Sequence, residues 1–346
     1  MTSLLISIVI PVHNGGESFK KCLKSLAAVR DSFFELIIVV DGGTDDSWQV
    51  AESSGAKVIR LPQAGGPARA RNLGAAAAQG DVIFFVDADV CVHATTVEQV
   101  AIAFQQDPHL AALIGSYDDA PGAANFLSQY RNLLHHFVHQ TASTRATTFW
   151  GACGAVRRDV FFKVGGFDER YRQPSIEDIE LGYRLTAANY PINLKKDIQV
   201  KHLKCWRASS LLKADFFYRA LPWTKLILKN KSFVNDLNLK ISSRISVALT
   251  YGIVILLFSA SLALIYGAEI SASLWLMLSI FALALVGLNW QVYDFFRRKK
   301  GWWFALRVVP WHWLYYLYSG LAFVIGWTRH RFFQLFPSQL LVSSAR

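Results

Sequence analysis

Acidic side chains are scarce in this chain of 346 residues: 25 Asp and Glu stand against 36 Lys and Arg, giving a net charge of +11 at pH 7. Charged residues of both signs make up only 18% of the total. Cysteine is rarer still, with four in all: Cys22, Cys91, Cys153 and Cys205. None is spaced as CxxC or in another metal-ligand pattern, so they read as reduced thiols of a cytosolic domain. The positive excess suggests nucleic acid or an anionic surface. Its placement decides between them: Lys225, Lys229, Lys231, Lys240, Arg244 and "RRKK" at 297–300 flank apolar segments. A membrane therefore comes before a nucleic acid polymer as the partner.

Two long stretches lack charge altogether, residues 245–268 and 270–293. Each exceeds the roughly 20 residues needed to cross a hydrocarbon core, and only Glu269 separates them. Basic residues before the first and after the second place both outer ends in the cytoplasm. A third uncharged stretch, 308–328, contains Pro310 and His312 and is followed by Arg329 and Arg331. It crosses, re-enters or lies at the interface. Upstream, residues 209–230 put Leu212, Phe216, Trp223 and Ile227 on one helical face, the pattern of a packed surface helix or of one lying in the membrane interface. The expected division is a cytosolic α/β domain over 1–206, an amphipathic juxtamembrane segment over 207–240 and a membrane region over 241–346. That corresponds to a multi-pass protein of the cytoplasmic (inner) membrane.

Before residue 206 the hydrophobic content takes another form. Residues 4–10 are a β-branched run, as a buried parallel strand requires. Pro11 and "HNGG" end it, so it reads as a strand rather than a signal peptide. "LIIVV" ending at Asp41, "KVIRL" at 57–61 and "VIFFV" at 82–86 repeat the theme. Between them lie a helix with Phe19, Leu23 and Leu26 on one face, and "PARARNLGAAAA" with Pro67 in a first turn. After them, Thr95 and Glu98 have capping-box spacing. The alternation predicts a doubly wound, mostly parallel sheet whose ligands bind beyond the carboxyl ends of the strands. His13-Asn14, Asp41, and Asp87 with Asp89 collect at that edge. In an extended chain Asp87 and Asp89 project to one face with Ala88 opposite. Two carboxylates so close repel unless a positive group lies beside them. The pair is either a solvated turn or a cation site.

"SIVIPVHNGGESFKKCLKSL", "VVDGGTDDS", "GGPARARNLGAA", "FFVDAD", "GACGAVRRDVFFKVGGFDE" and "IEDIELGYRL" resemble family 2 glycosyltransferases of the GT-A fold. The likeness is spread over residues 5–206 in the family's order. "DGGTD" is one residue shorter than the usual "DDGSTD". The resemblance implies a nucleotide-diphosphate sugar as donor and a divalent metal, Mn2+ or Mg2+, bridging its phosphates to carboxylates. Asp89 is then the metal ligand and Asp87 a ribose or metal partner. His202, in "VKHLKCW", either completes the metal site or is an ordinary core histidine. Donor contacts are implied at Pro11, Asp41, Arg71, Asp87 and Ala88, with Asp41 on the nucleoside and the Arg71 fork on the diphosphate. Arg69 faces elsewhere on its helix and reads as structural.

Asp178 is implied as the general base that deprotonates an acceptor hydroxyl, and one base with in-line displacement implies inversion. Gly151, Gly166, Asp168, Glu177 and Trp206 fall on the acceptor side, with Glu169 as a further sugar contact. Glu177 can equally be favourable acid at a helix start, and Trp206 can simply pack. "HHFVH" places His135 and His139 at i and i+4 without the glutamate of HExxH, and reads as structural or acceptor-lining.

These readings add up to a metal-dependent, inverting hexosyltransferase-type enzyme acting on a lipid or lipid-linked hydroxyl at the cytoplasmic membrane face. One alternative is a polyprenyl-phosphate glycosyltransferase resembling dolichyl-phosphate-mannose synthase, whose anionic acceptor needs no base. Another is a catalytically decayed membrane scaffold. A processive synthase is disfavoured because QxxRW is absent.

Overall fold

The computed structural model describes residues 4–230 and 240–335, with side chains through 332. Lys231 and the remainder of the expected juxtamembrane and C-terminal stretches lie outside the described residues. The chain divides into two compact units, Met1–Leu212 and Lys213–Arg346.

In the first unit the order is β1 (Ile6–Val12), α1 (Gly16–Ala27), β2 (Glu35–Asp41), α2 (Ser47–Ser53), β3 (Lys57–Leu61), α3 (Pro67–Ala77), β4 (Val82–Val86), β5 (Val90–Val92) and α4 (Thr96–Gln106). Then follow β6 (Ala112–Tyr117), α5 (Phe126–Thr141), β7 (Arg145–Ala146), β8 (Cys153–Arg157), α6 (Arg158–Lys163), α7 (Glu177–Ala187) and β9 (Ile192–His202). A short helix, α8 (Ala208–Lys213), runs to the unit's end.

The strands make one sheet in the order β3-β2-β1-β4-β8-β6-β9-β5, with β7 on β9. β3, β2, β1 and β4 are mutually parallel, as the βαβ spacing requires. Beyond β4 the sheet turns mixed: β8 is antiparallel to both β4 and β6, β9 is parallel to β6, and β5 and β7 are antiparallel to β9. The expectation of a mostly parallel sheet thus holds for the first half only. There helical crossovers join the strands; later connections return the chain in the opposite sense. Parallel strands need both faces covered, and β1 and β4 are buried along nearly their whole length. On one face α1 lays Phe19, Cys22, Leu23 and Leu26 against the sheet.

Two local expectations fail for physical reasons. Thr95 is the N-cap of α4 but its side chain makes no capping bond; Thr96 Oγ1 instead accepts from His93 N at 2.9 Å and donates to Gln199 O at 2.8 Å. Asp87 and Asp89 do not alternate along a strand. β4 ends at Val86, and a bond from Val90 N to Asp87 O at 3.1 Å closes a turn, sending the two carboxylates to different partners.

The second unit is helical. A π-helical turn over Ala214–Ala220 leads into α9 (Leu221–Asn230). The wider turn shifts the face, so Leu211, Asp215, Thr224 and Ile227 are buried while Leu212, Phe216 and Trp223 are only partly so. After α10 (Ile241–Ile265) come α11 (Ala272–Leu288), α12 (Trp290–Lys300) and α13 (Trp302–Leu335). Of these, α10 alone among the described helices is long and apolar enough to cross a membrane by itself. The expected span 270–293 is broken: α11 and α12 meet at 63°. Asn289 sits at the break, its amide bonded to Leu285 O at 2.9 Å in competition with the helix backbone. Residues 308–328 lie inside the continuous helix α13, which carries Pro310 in its interior.

Candidate active site

The carboxyl ends of β1, β2 and β4 open on one edge of the first unit. At the end of β2, Asp41 is buried, and its two oxygens accept from Gly65 N at 2.7 Å and Gly66 N at 2.8 Å. Gly66 has φ +93, and a Cβ there would lie 2.4 Å from Arg172 O, so only glycine fits this approach. The carboxylate expected at the nucleoside thus shapes the loop that starts α3. Beside it, His13 Nδ1 lies 2.7 Å from Asp41 O, and Asn14 Oδ1 accepts from Thr44 N at 2.7 Å.

Arg71 rises from α3 into the middle of the site and is almost wholly buried. One guanidinium nitrogen donates to Asp87 Oδ1 at 2.7 Å, the other to Glu177 Oε1 at 2.9 Å. Its ring-like plane lies 5.4 Å from the Phe167 centroid, and a Cβ on Gly151 would come within 2.9 Å of its Cζ. Burial by itself lowers the pKa of the guanidinium; Asp87, Glu177 and Asp178 outweigh that and raise it. A buried cation shared by two carboxylates is held far more firmly than a surface pair. Arg71, expected at the diphosphate, here ties the turn after β4 to the start of α7. Glu177, expected on the acceptor side, is likewise buried, spent on Arg71 and on Ser175 N at 2.9 Å.

Asp89 points the other way. Its Oδ2 lies 3.5 Å from Nε2 of His202, at the end of β9. Burial raises the pKa of Asp89, but His202 and then Lys204 more than reverse it, so the carboxyl sits below its usual value. The pair offers one carboxylate oxygen and one imidazole nitrogen. Two ligands about 2.1 Å from one octahedral cation stand about 3 Å apart, so the pair fits a single ion without large movement. The three-residue set with Asp87 is not assembled: Arg71 holds Asp87, and no group of three His, Cys, Asp or Glu poised for a metal occurs among the described residues.

Asp178 occupies the first turn of α7 and is half-buried. Gly151 N donates to its Oδ2 at 3.1 Å and Ile179 N to its Oδ1 at 2.8 Å. Burial and the neighbouring Glu177 push its pKa up to about 6, against the lowering pull of Gly151 N–H, Arg71 and Ile179 N–H. It is a carboxylate at neutral pH and a stronger base than an exposed one.

Around it, Asn72 accepts from Phe167 N at 2.8 Å and donates to Phe167 O and Glu169 Oε1, both at 2.9 Å. This fixes the loop through Gly166, whose φ is +65. Asp168 is taken by Arg170 at 2.6 Å. Trp206 is buried, with Lys204 Nζ 4.7 Å from its ring centroid. The His135 and His139 rings lie 4.1 Å apart, tilted by 35°, beside Trp150; burial drives the His139 pKa down to about 4, which suits a neutral ring. Asn72 and Asn132 had no signal in the sequence beyond Asn72 following Arg71.

Sheet order and pairing define the GT-A fold. The family model described as Glycosyl transferase family 2 matches residues 7–165. It is 30% identical over 120 residues to the glycosyltransferase GlyG of Streptococcus pneumoniae, covering 33% of this chain and 40% of that protein. Over 264 residues it is 26% identical to validoxylamine A glucosyltransferase of Streptomyces hygroscopicus subsp. jinggangensis, covering 63% of this chain and 61% of that one. The chain thus spans less than two thirds of either relative. The solved mannosyltransferase PcManGT of Pyrobaculum calidifontis, in complex with GDP-Man and Mn2+, shares the fold with TM-score 0.60 at 15% identity, over 94% of this chain and 88% of that one.

Proposed function

We propose that this chain transfers a sugar, with inversion, from a nucleotide-diphosphate donor to a hydroxyl of a lipid or lipid-linked acceptor at the cytoplasmic face of a membrane in which its helical unit is embedded. The observation that carries the reading is Asp178: a half-buried carboxylate on a helix N-terminus, fixed by two backbone N–H groups, with its pKa raised to about 6. A base near the working pH is ionised and still able to take a proton.

Asp178 accepts the acceptor's hydroxyl proton as that oxygen bonds to the anomeric carbon. The bond from that carbon to the diphosphate breaks on the opposite side, and the diphosphate leaves with the electron pair. Gly151 N–H and Ile179 N–H hold the carboxylate in place, and Arg71 keeps the start of α7 in register with the turn that carries Asp87 and Asp89. Asp89 and His202 would hold a divalent cation, Mn2+ or Mg2+, which when bound neutralises charge on the departing diphosphate.

The membrane part rests on α10 and on the α11–α12 pair, together with the basic flanks at Arg244 and 297–300. The test uses the full chain in lipid nanodiscs with a screen of nucleotide-diphosphate sugars and a membrane-lipid extract. Nucleoside diphosphate should be released with transfer to an extracted lipid, and Asp178→Asn should stop it. Transfer to purified polyprenyl phosphate with Asp178 dispensable would replace this reading with the phosphate-acceptor one.

A further inference from the structure

Helix α5 buries an unusual number of polar side chains: Ser128, Gln129, Asn132, His136 and His139. Four positions spaced by four, 128, 132, 136 and 140, share one face, and each meets the β6–β9 side of the sheet. Ser128 Oγ accepts from Trp206 N at 2.7 Å, His136 Nδ1 lies 2.7 Å from Tyr117 O, and Gln140 donates to Lys196 O at 3.0 Å. Those three grip main chain, which explains them as fasteners. Asn132 differs. Its Oδ1 lies 2.7 Å from Nδ1 of His202, side chain to side chain, with both groups buried.

An amide oxygen only accepts, so Nδ1 of His202 carries a proton in this pairing, and in the neutral ring Nε2 keeps its lone pair. Nε2 is the atom 3.5 Å from Asp89 Oδ2. Tyr117 stacks on the imidazole, 4.4 Å between centroids and 7° between planes, so the ring is fixed in tilt as well as in tautomer. The amide nitrogen of Asn132 is buried with no hydrogen-bond partner among the described residues. Such an orphan is destabilising, a penalty that a leucine would avoid.

We propose that Asn132 is a positioning residue that selects the Nδ1–H tautomer of His202 and so aims the Nε2 lone pair beside Asp89, making the two a divalent-cation site. The inference rests on the metal reading above and adds the group that makes the histidine a ligand. An uncharged acceptor serves here: it orients the ring without adding another negative charge to a site already holding Asp87, Asp89 and Glu177. Outer partners of this kind typically change metal affinity about 10–100-fold.

The experiment measures Mn2+ alone binding to the full chain in detergent micelles, by loss of the free-ion electron paramagnetic resonance signal. Alongside it, nitrogen NMR of 15N-histidine protein without metal reads the tautomer of His202, assigned with His202→Ala. Wild type should bind Mn2+ and show Nδ1–H. Asp89→Asn and His202→Ala should lose the ion. Asn132→Leu should bind about 10–100-fold more weakly with unchanged circular dichroism, and Asn132→Asp, which keeps the acceptor, should restore binding. An unprotonated Nδ1 in the wild type, or Asn132→Leu within about twofold of wild type while the other two variants lose the ion, overturns the role of Asn132 and leaves the site. If Asp89→Asn and His202→Ala bind as wild type does, the site itself is wrong and the inference falls with it. The wild-type tautomer decides the question even if the leucine variant fails to fold.

Discussion

Phe84 and Phe85 in the central strand of the sheet are wholly buried, whereas Ile255, Leu283 and Trp303 in the helical unit are 62%, 71% and 74% exposed. Both units bury polar groups. In the helical unit, Ser246, Asn289 and Asp215 are buried and bonded: Asn289 to Ser246 Oγ at 2.9 Å and Tyr316 OH at 2.6 Å, Asp215 to Tyr318 OH and to Arg219 one turn along, both at 2.7 Å. One unit hides its hydrocarbon and the other displays it. The hydrophobic effect drives the first arrangement in water. In lipid it vanishes between helices, and internal polar bonds and close packing hold them together instead. Small residues supply that packing here: a Cβ on Gly252 would fall 2.4 Å from the Phe281 ring, and one on Gly320 equally close to Tyr251. The contrast is what an enzyme part in water and an anchor in hydrocarbon would each require.

If the first unit holds the chemistry, its variants should give the largest effects. Asp178→Asn should lower transfer roughly 10²–10⁴-fold while donor affinity persists, measured as turnover against nucleotide binding. Wild-type activity should fall away below a pH of about 6 as Asp178 takes up a proton. Stability has the opposite sign. The folded pKa is raised, so the contribution of the protonated group is full below the ordinary carboxylate range and is lost as pH rises through about 6. An acid limb that stays put in a less buried variant would sever base from burial.

Arg71→Met comes next. It strands the buried Glu177 and the half-buried Asp87 without their cation, and removal of one partner from a buried pair costs about 3–5 kcal/mol. Chemical denaturation of the full chain reads the loss. Arg71→Lys should recover only part of it, because an ammonium cannot fork to two carboxylates as a guanidinium does. A loss within about 0.5 kcal/mol, as for a surface pair, would mean the network does not organise the site.

Ile255→Arg sharpens the comparison from the other side. On a helix in hydrocarbon, arginine near the centre costs about 2.5–3.5 kcal/mol of insertion; on a water-facing surface such a change stays within about 0.5 kcal/mol. The fraction of chain that resists carbonate extraction from membranes distinguishes them. An unaffected variant would return α10 to the status of an ordinary apolar helix.

Much of this contrast was written in local patterns. "KVIRL" became β3 residue for residue, Pro67 opens α3, and the uncharged run from 245 became α10, because β-branched runs, a fixed proline φ and charge-free helices act within a few residues. The carboxylates at the sheet edge were legible for the same reason. Their partners were not. Arg71 meets Glu177 across 106 residues and His202 meets Asn132 across 70, separations over which no single-sequence period carries information. The turn at Asp87–Asp89 was misread as extended because strand alternation was continued past Val86. The bend at Asn289 was missed because hydropathy averages over an amide that competes with its own helix.

That bend sets the smallest and most discriminating test. Asn289 bonds Leu285 O, Ser246 Oγ and Tyr316 OH at once, so Asn289→Leu removes three bonds and leaves the Tyr316 hydroxyl to find another acceptor. In water, a buried ion pair broken on one side costs several kcal/mol, as for Arg71 and Glu177. Within a helical bundle in lipid, each interhelical bond is worth only about 0.6–2 kcal/mol, because the separated helices also find polar partners, and Ser246 already has Ser242 O at 2.9 Å. The expected loss is therefore about 1 kcal/mol by detergent-driven unfolding in mixed micelles, accompanied by straightening of the α11–α12 junction, read from the distance between spin labels on the two helices. A loss as large as that of Arg71→Met would show Asn289 working against water rather than hydrocarbon, and the two units would then share one solvent.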